Sequence, residues 1–214
     1  MNFGKIKWTI YGLFFIVIGI VISVYGIRDV KDSKKKPVDI TAPGFDWNDL
    51  EEGDHVVSDV DFLLGYFMYE TDDDSGKHNM RIYAMPHLDE QEDMIFIDNY
   101  IGLDVNGNSD DSFSDYDRVV EDSLEWWRSD EFTRDIDPVH IDGIVCKMDA
   151  KKISYFEDFL DDAGVDKSAV RDSMYEYYIV PVGKHNTFVI IFGIVITLAG
   201  IATTFFTLVR KRIK

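Results

Sequence analysis

Two long uncharged apolar stretches lie near the two ends of the chain and strongly constrain how it can fold. The first runs from Trp8 to Ile27 and the second from Asn186 to Val209, and neither contains Asp, Glu, Lys or Arg. At about 1.5 Å of helical rise per residue, about 20 apolar residues cross the hydrocarbon core of a bilayer. The sequence therefore predicts transmembrane helices at 8–27 and 186–209.

The first stretch is expected to remain in the protein as an anchor. Its apolar run of about 20 residues exceeds the 7–15 typical of a cleavable signal peptide. The segment Tyr25-Gly26-Ile27 also lacks the small-x-small pattern of a cleavage site.

Charge is distributed very unevenly along the chain. All 40 acidic residues lie between the two apolar stretches, whereas the short tails 1–7 and 210–214 carry only basic charges. The positive-inside rule places both tails in the cytoplasm and the acidic segment outside. The basic residues at 28–36 oppose this assignment, but segments longer than about 60 residues cross largely regardless of charge. The negative charge of this segment repels nucleic acid, and nucleic-acid binding is therefore excluded.

Cys146 is the only cysteine, so no disulfide can form within the chain. The segment between the spans also lacks an Asn-x-Ser/Thr glycosylation acceptor. Both features suit a bacterial envelope protein at the plasma membrane.

The acidic segment is expected to contain a linker over 28–45 and an α+β domain over 46–183. Alternating apolar residues and turn signals predict five strands, the first bent at Gly65: His55–Glu70, His78–Met85, Met94–Val105, Val139–Met148 and Met174–Val182. An acidic link at 89–93 separates the second strand from the third. Helical spacing predicts two main helices and a short helical turn: Ser114–Ser129, Ala150–Ala163 and Lys167–Asp172.

The first of these two helices is expected to have Ser114 or Asp115 as its cap. Its buried stripe is expected to include Val119 and Trp127, and Asp117 is expected to project into water with the other acids of the helix.

The predicted order is β-β-β-α-β-α-β. Three neighbouring strands, a helix and two further strands match the order of an OB-like barrel, whose first strand is long and bent. The second helix, before the last strand, departs from that pattern. The alternative is an open antiparallel sheet with helices on one face.

One acidic loop has the ligand spacing of a calcium-binding loop. Oxygen-bearing side chains occupy positions 1, 3, 5, 7, 9 and 12 of an EF-hand-like series: Asp104, Asn106, Asn108, Asp110, Ser112 and Asp115. The glycine falls at position 4 rather than 6, the last ligand is Asp rather than Glu, and a strand precedes the loop. Calcium is the only cofactor that the sequence suggests.

The two apolar stretches carry small residues at helical spacing. These lie on one face of each helix: Gly12, Gly19, Ser23 and Gly26 in the first, and Gly193, Thr197, Gly200, Thr204 and Thr207 in the second. Small residues allow close approach of helices in lipid, where packing drives association. The sequence predicts that the two helices pack through these faces, within one chain or across a homodimer.

No catalytic motif is present in the sequence. The histidines are scattered without metal-ligand spacing, and Cys146 lies in an alternating strand pattern typical of an inert buried thiol. Trp126, Trp127 and Phe132 could form a binding patch, although aromatic residues beside a helical stripe are usually core.

Several segments of the chain are similar to a known family pattern. These are Asp49–Asp54 leading into Val56–Tyr69, Ile82–Pro86, Tyr100–Leu103, Val139–Val145 around Gly143, and Tyr177–Pro181. The chain resembles a family of two-span membrane proteins of Gram-positive, mostly anaerobic bacteria that carries a domain of unknown function. The resemblance implies a bacterial plasma membrane protein of this layout and supplies no reaction or site.

The sequence thus predicts a membrane-anchored extracytoplasmic binding or accessory module of an envelope complex. Its expected partners are the lipid bilayer and a membrane or envelope protein or second copy of the chain. One alternative is an envelope enzyme acting on cell wall or peptide. Another is a calcium-responsive sensor.

Overall fold

The computed structural model of the chain describes residues 3–42, 44–73, 76–91, 94–107, 110–129, 135–165, 174–182 and 186–209. These residues form two compact units. The helical unit contains the described residues up to Lys34 and those from Asn186 onward. The sheet unit contains the described residues from Lys35 to Val182.

The helical unit consists of α1 (Phe3–Asp32) and α4 (Asn186–Val209). Within them, Lys7–Asp32 and Phe188–Thr207 are long and apolar enough to cross a membrane. The helices pack antiparallel, since Gly12 lies beside Thr204 and Gly19 beside Thr197. Helix α1 continues past the expected boundary at residue 27 and takes in the first residues of the expected linker.

The sheet unit is built on one mixed sheet of seven strands. The strands are β1 (Val38–Asp39), β2 (His55–Val60), β3 (Gly65–Thr71), β4 (His78–Gln91), β5 (Met94–Asn106), β6 (Val139–Lys147) and β7 (Met174–Pro181). Their order is β1-β2-β6-β7-β5-β4-β3. The β1–β2 and β5–β7 pairs are parallel and the others antiparallel. The α+β class is therefore confirmed.

The closed barrel and the count of five strands are both wrong. The run His55–Glu70 is two strands, β2 and β3, which lie five neighbours apart in the sheet order. The connection Asp61–Leu64 leaves the ladder because Phe62 and Leu63 turn into the interior, where they are 3% and 0% exposed. No described pairing joins β2 to β3, so the sheet stays open.

The short connection nevertheless requires strong curvature of the sheet. Strands about 4.8 Å apart would separate β2 from β3 by about 24 Å in a flat sheet. Five residue steps from Val60 to Gly65 can span only about 17 Å. Gly65 supports the change of direction with a φ of +137°, a value that favours glycine.

The open sheet of the alternative prediction is confirmed, but this sheet is mixed rather than antiparallel, and two helices cover opposite faces rather than one. Helix α2 (Ser114–Arg128) packs Val119 against the larger core, which includes Tyr83, Leu103 and Ile179. Helix α3 (Ala150–Asp162) packs Phe156 and Leu160 against a second core on the other face, with Ala84, Tyr100 and Met148.

Most predicted element boundaries agree with the structure within a few residues. The N-cap of helix α3 is Asp149, whose side chain accepts hydrogen bonds from the backbone N–H groups of Lys151 and Lys152. Gly164, with a φ of +87°, follows the end of this helix. Helix α2 has no side-chain cap, because the buried Phe113 rather than Ser114 or Asp115 occupies the N-cap position. Trp127, predicted on the buried stripe, is 53% exposed, and Ser123 is buried instead.

Two expected connections are partly structured. Strand β4 continues to Gln91 and so includes part of the expected acidic link. The expected linker contributes β1, which pairs with β2, and Ile40, which is 1% exposed. The helical turn expected at Lys167–Asp172 lies outside the described residues.

Both ends of the sheet unit are anchored to one residue, Asp142. The ring of His55 bridges Lys35 and Asp142: Nδ1 lies 3.0 Å from the Lys35 carbonyl oxygen, and Nε2 lies 2.6 Å from Asp142 Oδ1. The Val182 amide donates to the Asp142 carbonyl at 2.9 Å. The chain therefore enters and leaves the sheet unit beside the same strand, β6.

Candidate functional site

A cluster of aromatic side chains surrounds one buried arginine, Arg81 of β4. The guanidinium carbon lies 4.8 Å from the centre of the Tyr66 ring and 4.5 Å from that of Phe113. The arginine side chain is only 11% exposed. Because cations are attracted to the faces of aromatic rings, both contacts stabilise the buried charge.

Asp117 of α2 neutralises this arginine. Arg81 Nη1 donates to Asp117 Oδ2 at 2.6 Å and Oδ1 at 2.9 Å, and the Tyr83 hydroxyl donates to Oδ1 at 2.8 Å. Arg81 Nε also donates to His78 Nδ1 at 3.0 Å. Burial raises the pKa of Tyr83, and its hydrogen bond to Asp117 adds to the effect, so the phenol stays protonated and keeps donating.

A β-bulge presents two tyrosines on the same side of the sheet as Arg81. Tyr66 pairs with Tyr83 and Met68 with Ile82, so Phe67 is an extra residue in β3. Side chains alternate along a regular strand, and the bulge resets this alternation. Tyr66 and Tyr69 consequently lie three residues apart with ring centres 6.1 Å apart.

These tyrosines form an exposed patch together with His78. Tyr66 is 39% exposed and Tyr69 54% exposed. The His78 ring stacks on Tyr69 at 4.3 Å between centroids. We call Tyr66, Tyr69 and His78 the tyrosine face. Arg81 lies over the Tyr66 ring and donates a hydrogen bond to His78, and these contacts hold the rings of the tyrosine face in place.

The border of the tyrosine face is acidic. Asp72 and Asp73, which follow β3, are both exposed. Arg81 adds no free positive charge because Asp117 neutralises it. Lys77 is the one basic residue described in the connection between β3 and β4.

A second unusual group, Asp104 of β5, lies on the other side of the sheet. Its neighbour across β4 is Ile82, and the residue is only 8% exposed. Asn106 Nδ2 donates to Asp104 Oδ1 at 3.1 Å. Burial raises the pKa of Asp104 to about 6, the charge of Lys152 opposes this, and Glu70 adds to it. Asp104 therefore titrates near neutral pH.

The residues of the predicted calcium loop are spread over three elements. Asp104 and Asn106 end β5, Asp110 and Ser112 lie in a 3₁₀ turn, and Asp115 is in the first turn of α2. Asn108 lies outside the described residues. Among the residues described, no group of three or more His, Cys, Asp or Glu is arranged to hold a metal ion. Calcium binding here stays a prediction.

The small residues of the helical unit face one another within one chain. A Cβ added at Gly19 would clash with Thr197 Oγ1 and lie 2.6 Å from the Gly193 oxygen, and one at Gly193 would lie 2.5 Å from Ser23 Oγ. Gly12 faces Thr204 and Gly200 in the same way, whereas Gly26 meets Ile190. At these contacts only glycine fits against the other helix.

The hydroxyl groups at this interface bond to their own helices. Ser23, Thr197 and Thr204 each donate to the carbonyl four residues earlier, at 2.8–2.9 Å. Their polar groups are thus satisfied without water, as an apolar environment requires.

Of the other residues considered from the sequence, the described histidines and Cys146 form no common site, whereas Trp126 and Trp127 lie together. His55 pairs with Asp142 and His140 with Asp59, and Cys146 is partly buried on β6. Trp126 and Trp127 both contact Phe62, while Phe132 lies outside the described residues. An open surface depression of about 510 Å³ runs along α2, lined by Glu121, Leu124, Glu125, Arg128 and Ser129, and does not include Asp104.

Sequence reasoning missed the Arg81–Asp117 pair and the tyrosine face. Asp117 was expected to point into water with the other acids of α2. The two residues are 36 positions apart, so no local spacing could connect them. The available signal was a lone arginine within an otherwise apolar and aromatic strand, Met80–Met85, which needs a buried carboxylate partner.

Comparison with known proteins gives a family and no activity. No curated protein is significantly similar to this chain. One family model, described as a domain of unknown function, matches residues 3–210 and so covers both helices and the whole sheet unit. The chain therefore belongs to this family, domain of unknown function DUF8577.

Proposed function

We propose that this protein is a membrane-anchored binding or accessory module of a bacterial envelope complex. In this proposal α1 and α4 cross the plasma membrane as a hairpin, both termini are cytoplasmic, and the sheet unit lies outside. The basic tails and the acidic segment between the helices support this orientation.

The observation that carries the binding role is the tyrosine face. Contiguous exposed aromatic side chains mark interaction sites on protein surfaces, and tyrosine is enriched in protein–protein interfaces. Here Tyr66 and Tyr69 are exposed, while Arg81 beneath them is held in place by its ion pair with Asp117. Such a prearranged surface loses little conformational entropy when it binds.

Site-specific photo-crosslinking in membranes tests the binding role. A photoreactive phenylalanine analogue at Tyr69 of the full chain should crosslink to one partner in a stoichiometric band. The same analogue at Tyr155, a tyrosine of α3 that is 43% exposed, is the matched control and should give none. Equal crosslinking at both positions, or none at Tyr69, would contradict the proposal.

Orientation is tested separately on whole cells. Cysteine introduced at Asp73 should react with an impermeant maleimide, and an exterior-active phosphatase fused after Lys214 should be inactive. The reverse pattern would place the sheet unit in the cytoplasm.

An enzyme is the second candidate, and Asp104 favours it. A buried carboxyl that titrates near pH 6 suits general acid or base chemistry. Asp104 is only 8% exposed, so a substrate would need an opening on the α3 side of the sheet. If this candidate is correct, Asp104→Asn should abolish turnover of a cell-wall or peptide substrate that the parent protein cleaves.

A further inference from the structure

The aromatic rings of the tyrosine face are suited to bind cations. Tyr66 already receives one, since the Arg81 guanidinium carbon lies 4.8 Å from its ring centre. The Tyr69 ring stacks on His78 and is 54% exposed, which leaves part of its surface open to a partner. A ring face attracts a lysine or arginine side chain through its quadrupole.

The charge around this face favours the same class of partner. Asp72 and Asp73 are exposed at its border, and the Arg81 charge is matched by Asp117. The residues from 35 to 182 include 38 acidic and 12 basic residues. A second copy of the chain, an anionic lipid or a nucleic acid would be repelled, whereas a basic segment would be attracted.

The orientation of the two rings indicates which of them can take a cation from a partner. The Tyr66 and Tyr69 ring centres are 6.1 Å apart and the ring planes are nearly perpendicular, at 88°. The Arg81 guanidinium already lies over the Tyr66 ring, whereas the more exposed Tyr69 ring stacks on the His78 ring. Tyr69 is therefore the ring that a basic side chain of a partner can contact, with Tyr66 beside it.

We propose that the tyrosine face docks an extended basic segment of another protein, with a Lys or Arg side chain on the exposed Tyr69 ring and Tyr66 beside it. This inference rests on the proposed binding function and names its partner class. In the proposed orientation the basic tails of this chain lie across the membrane, so they are not the occupant.

The test uses the full chain in a neutral mild detergent and a fluorescent peptide of alternating lysine and serine, followed by anisotropy. Tyr69→Leu should weaken binding about 2–30-fold, the range expected for a lost cation–π contact. Tyr66→Leu should also weaken binding, because Tyr66 packs against the Tyr69 ring. Tyr69→Phe keeps an aromatic ring and should bind within about twofold of the parent. Tyr155→Leu on α3 is the matched control and should also be unchanged.

Peptide composition provides the second arm of the test. Replacing lysine by arginine should maintain or tighten binding, and replacing it by glutamate should abolish it. Equal binding by parent and Tyr66→Leu/Tyr69→Leu would overturn the inference, because acidity alone would then explain the affinity. Competition by a neutral cell-wall oligosaccharide, or by unlabelled protein as a second copy, would also overturn it.

The outcomes separate this inference from the proposed function. If the crosslinker at Tyr69 captures a partner but basic peptides do not bind, the module binds something else and only the inference fails. If neither occurs, both fail. Tryptophan-fluorescence melts of each variant confirm folding before binding is measured.

Discussion

Replacing Asp104 by Asn should change how the stability of the protein depends on pH. Burial raises the pKa of this carboxyl from 3.8 to about 6 in the folded protein. Between these values the folded state holds a proton that the unfolded chain has released. Stability therefore falls as pH rises through this window, which is the opposite of the behaviour of an ion-paired carboxylate.

The size of the effect follows from the shift. About 2 pKa units correspond to about 3 kcal/mol of lost stability once the pH is well above 6. About 2 kcal/mol of this falls between about pH 4.5 and 7.5. The asparagine side chain of Asp104→Asn would be neutral throughout, would keep nearly the same shape, and could still pair with Asn106. The variant should therefore gain about 2 kcal/mol relative to the parent across that interval.

Thermal unfolding of the full chain in mild detergent, followed by tryptophan fluorescence, measures this difference. Trp47 and Trp126 report on the sheet unit, where Asp104 lies. For a unit of this size, about 2 kcal/mol corresponds to a relative Tm change of about 4–8 °C. Asp49→Asn, which replaces an exposed carboxyl by the same amide, is the matched control. A parallel pH profile for Asp104→Asn and the parent would refute the reasoning.

Four further changes test other parts of the structure. Gly19→Leu should push α1 away from Thr197 and lower the free energy of unfolding by about 1–3 kcal/mol, measured in detergent through Trp8 fluorescence. The control Ile20→Leu, at a half-exposed site, should leave this free energy almost unchanged. Asp117→Asn should cost about 1–2 kcal/mol because Arg81, only 11% exposed, loses a counter-charge that is itself 40% exposed, and a change below about 0.5 kcal/mol would mean that solvent screens the pair. Ser58→Ala should stabilise the protein by about 1 kcal/mol, since the buried Ser58 hydroxyl has no hydrogen-bond partner among the described residues, and a loss would point to a bound water. Titration with millimolar calcium should release heat that disappears in Asp104→Ala, and absence of heat in the parent would end the calcium hypothesis.

Sequence patterns correctly predicted the elements that are specified by residues close to one another in the sequence. Helix α3 has a cap at Asp149, an apolar stripe and a glycine stop, and each signal acts within a few residues. Strands β6 and β7 were predicted within a residue because apolar side chains alternate along them and a turn signal such as Pro138 marks a boundary. Their neighbours in the sheet, and the parallel β5–β7 pairing, depend on contacts distant in sequence.

The failures share one cause, which is that long-range contacts overrode a local signal. His55–Glu70 continues its apolar pattern through Phe62 and Leu63, but these side chains fill the core rather than extend a strand. The polar run 89–91, with acidic residues at 89 and 90, resembled a loop in the sequence, yet pairing with β5 keeps it in β4. Likewise the Arg81–Asp117 pair, on which the candidate site depends, exists only because the fold brings α2 onto β4.

The anchoring of both ends of the sheet unit at Asp142 makes this unit suitable for transplantation. Lys35 reaches Asp142 through His55, and Val182 bonds to its backbone, so the two ends are neighbours. A unit with neighbouring ends can be inserted into a loop of another protein at little cost in loop-closure entropy. Residues 35–182 should thus remain folded when spliced between two adjacent positions of an unrelated host.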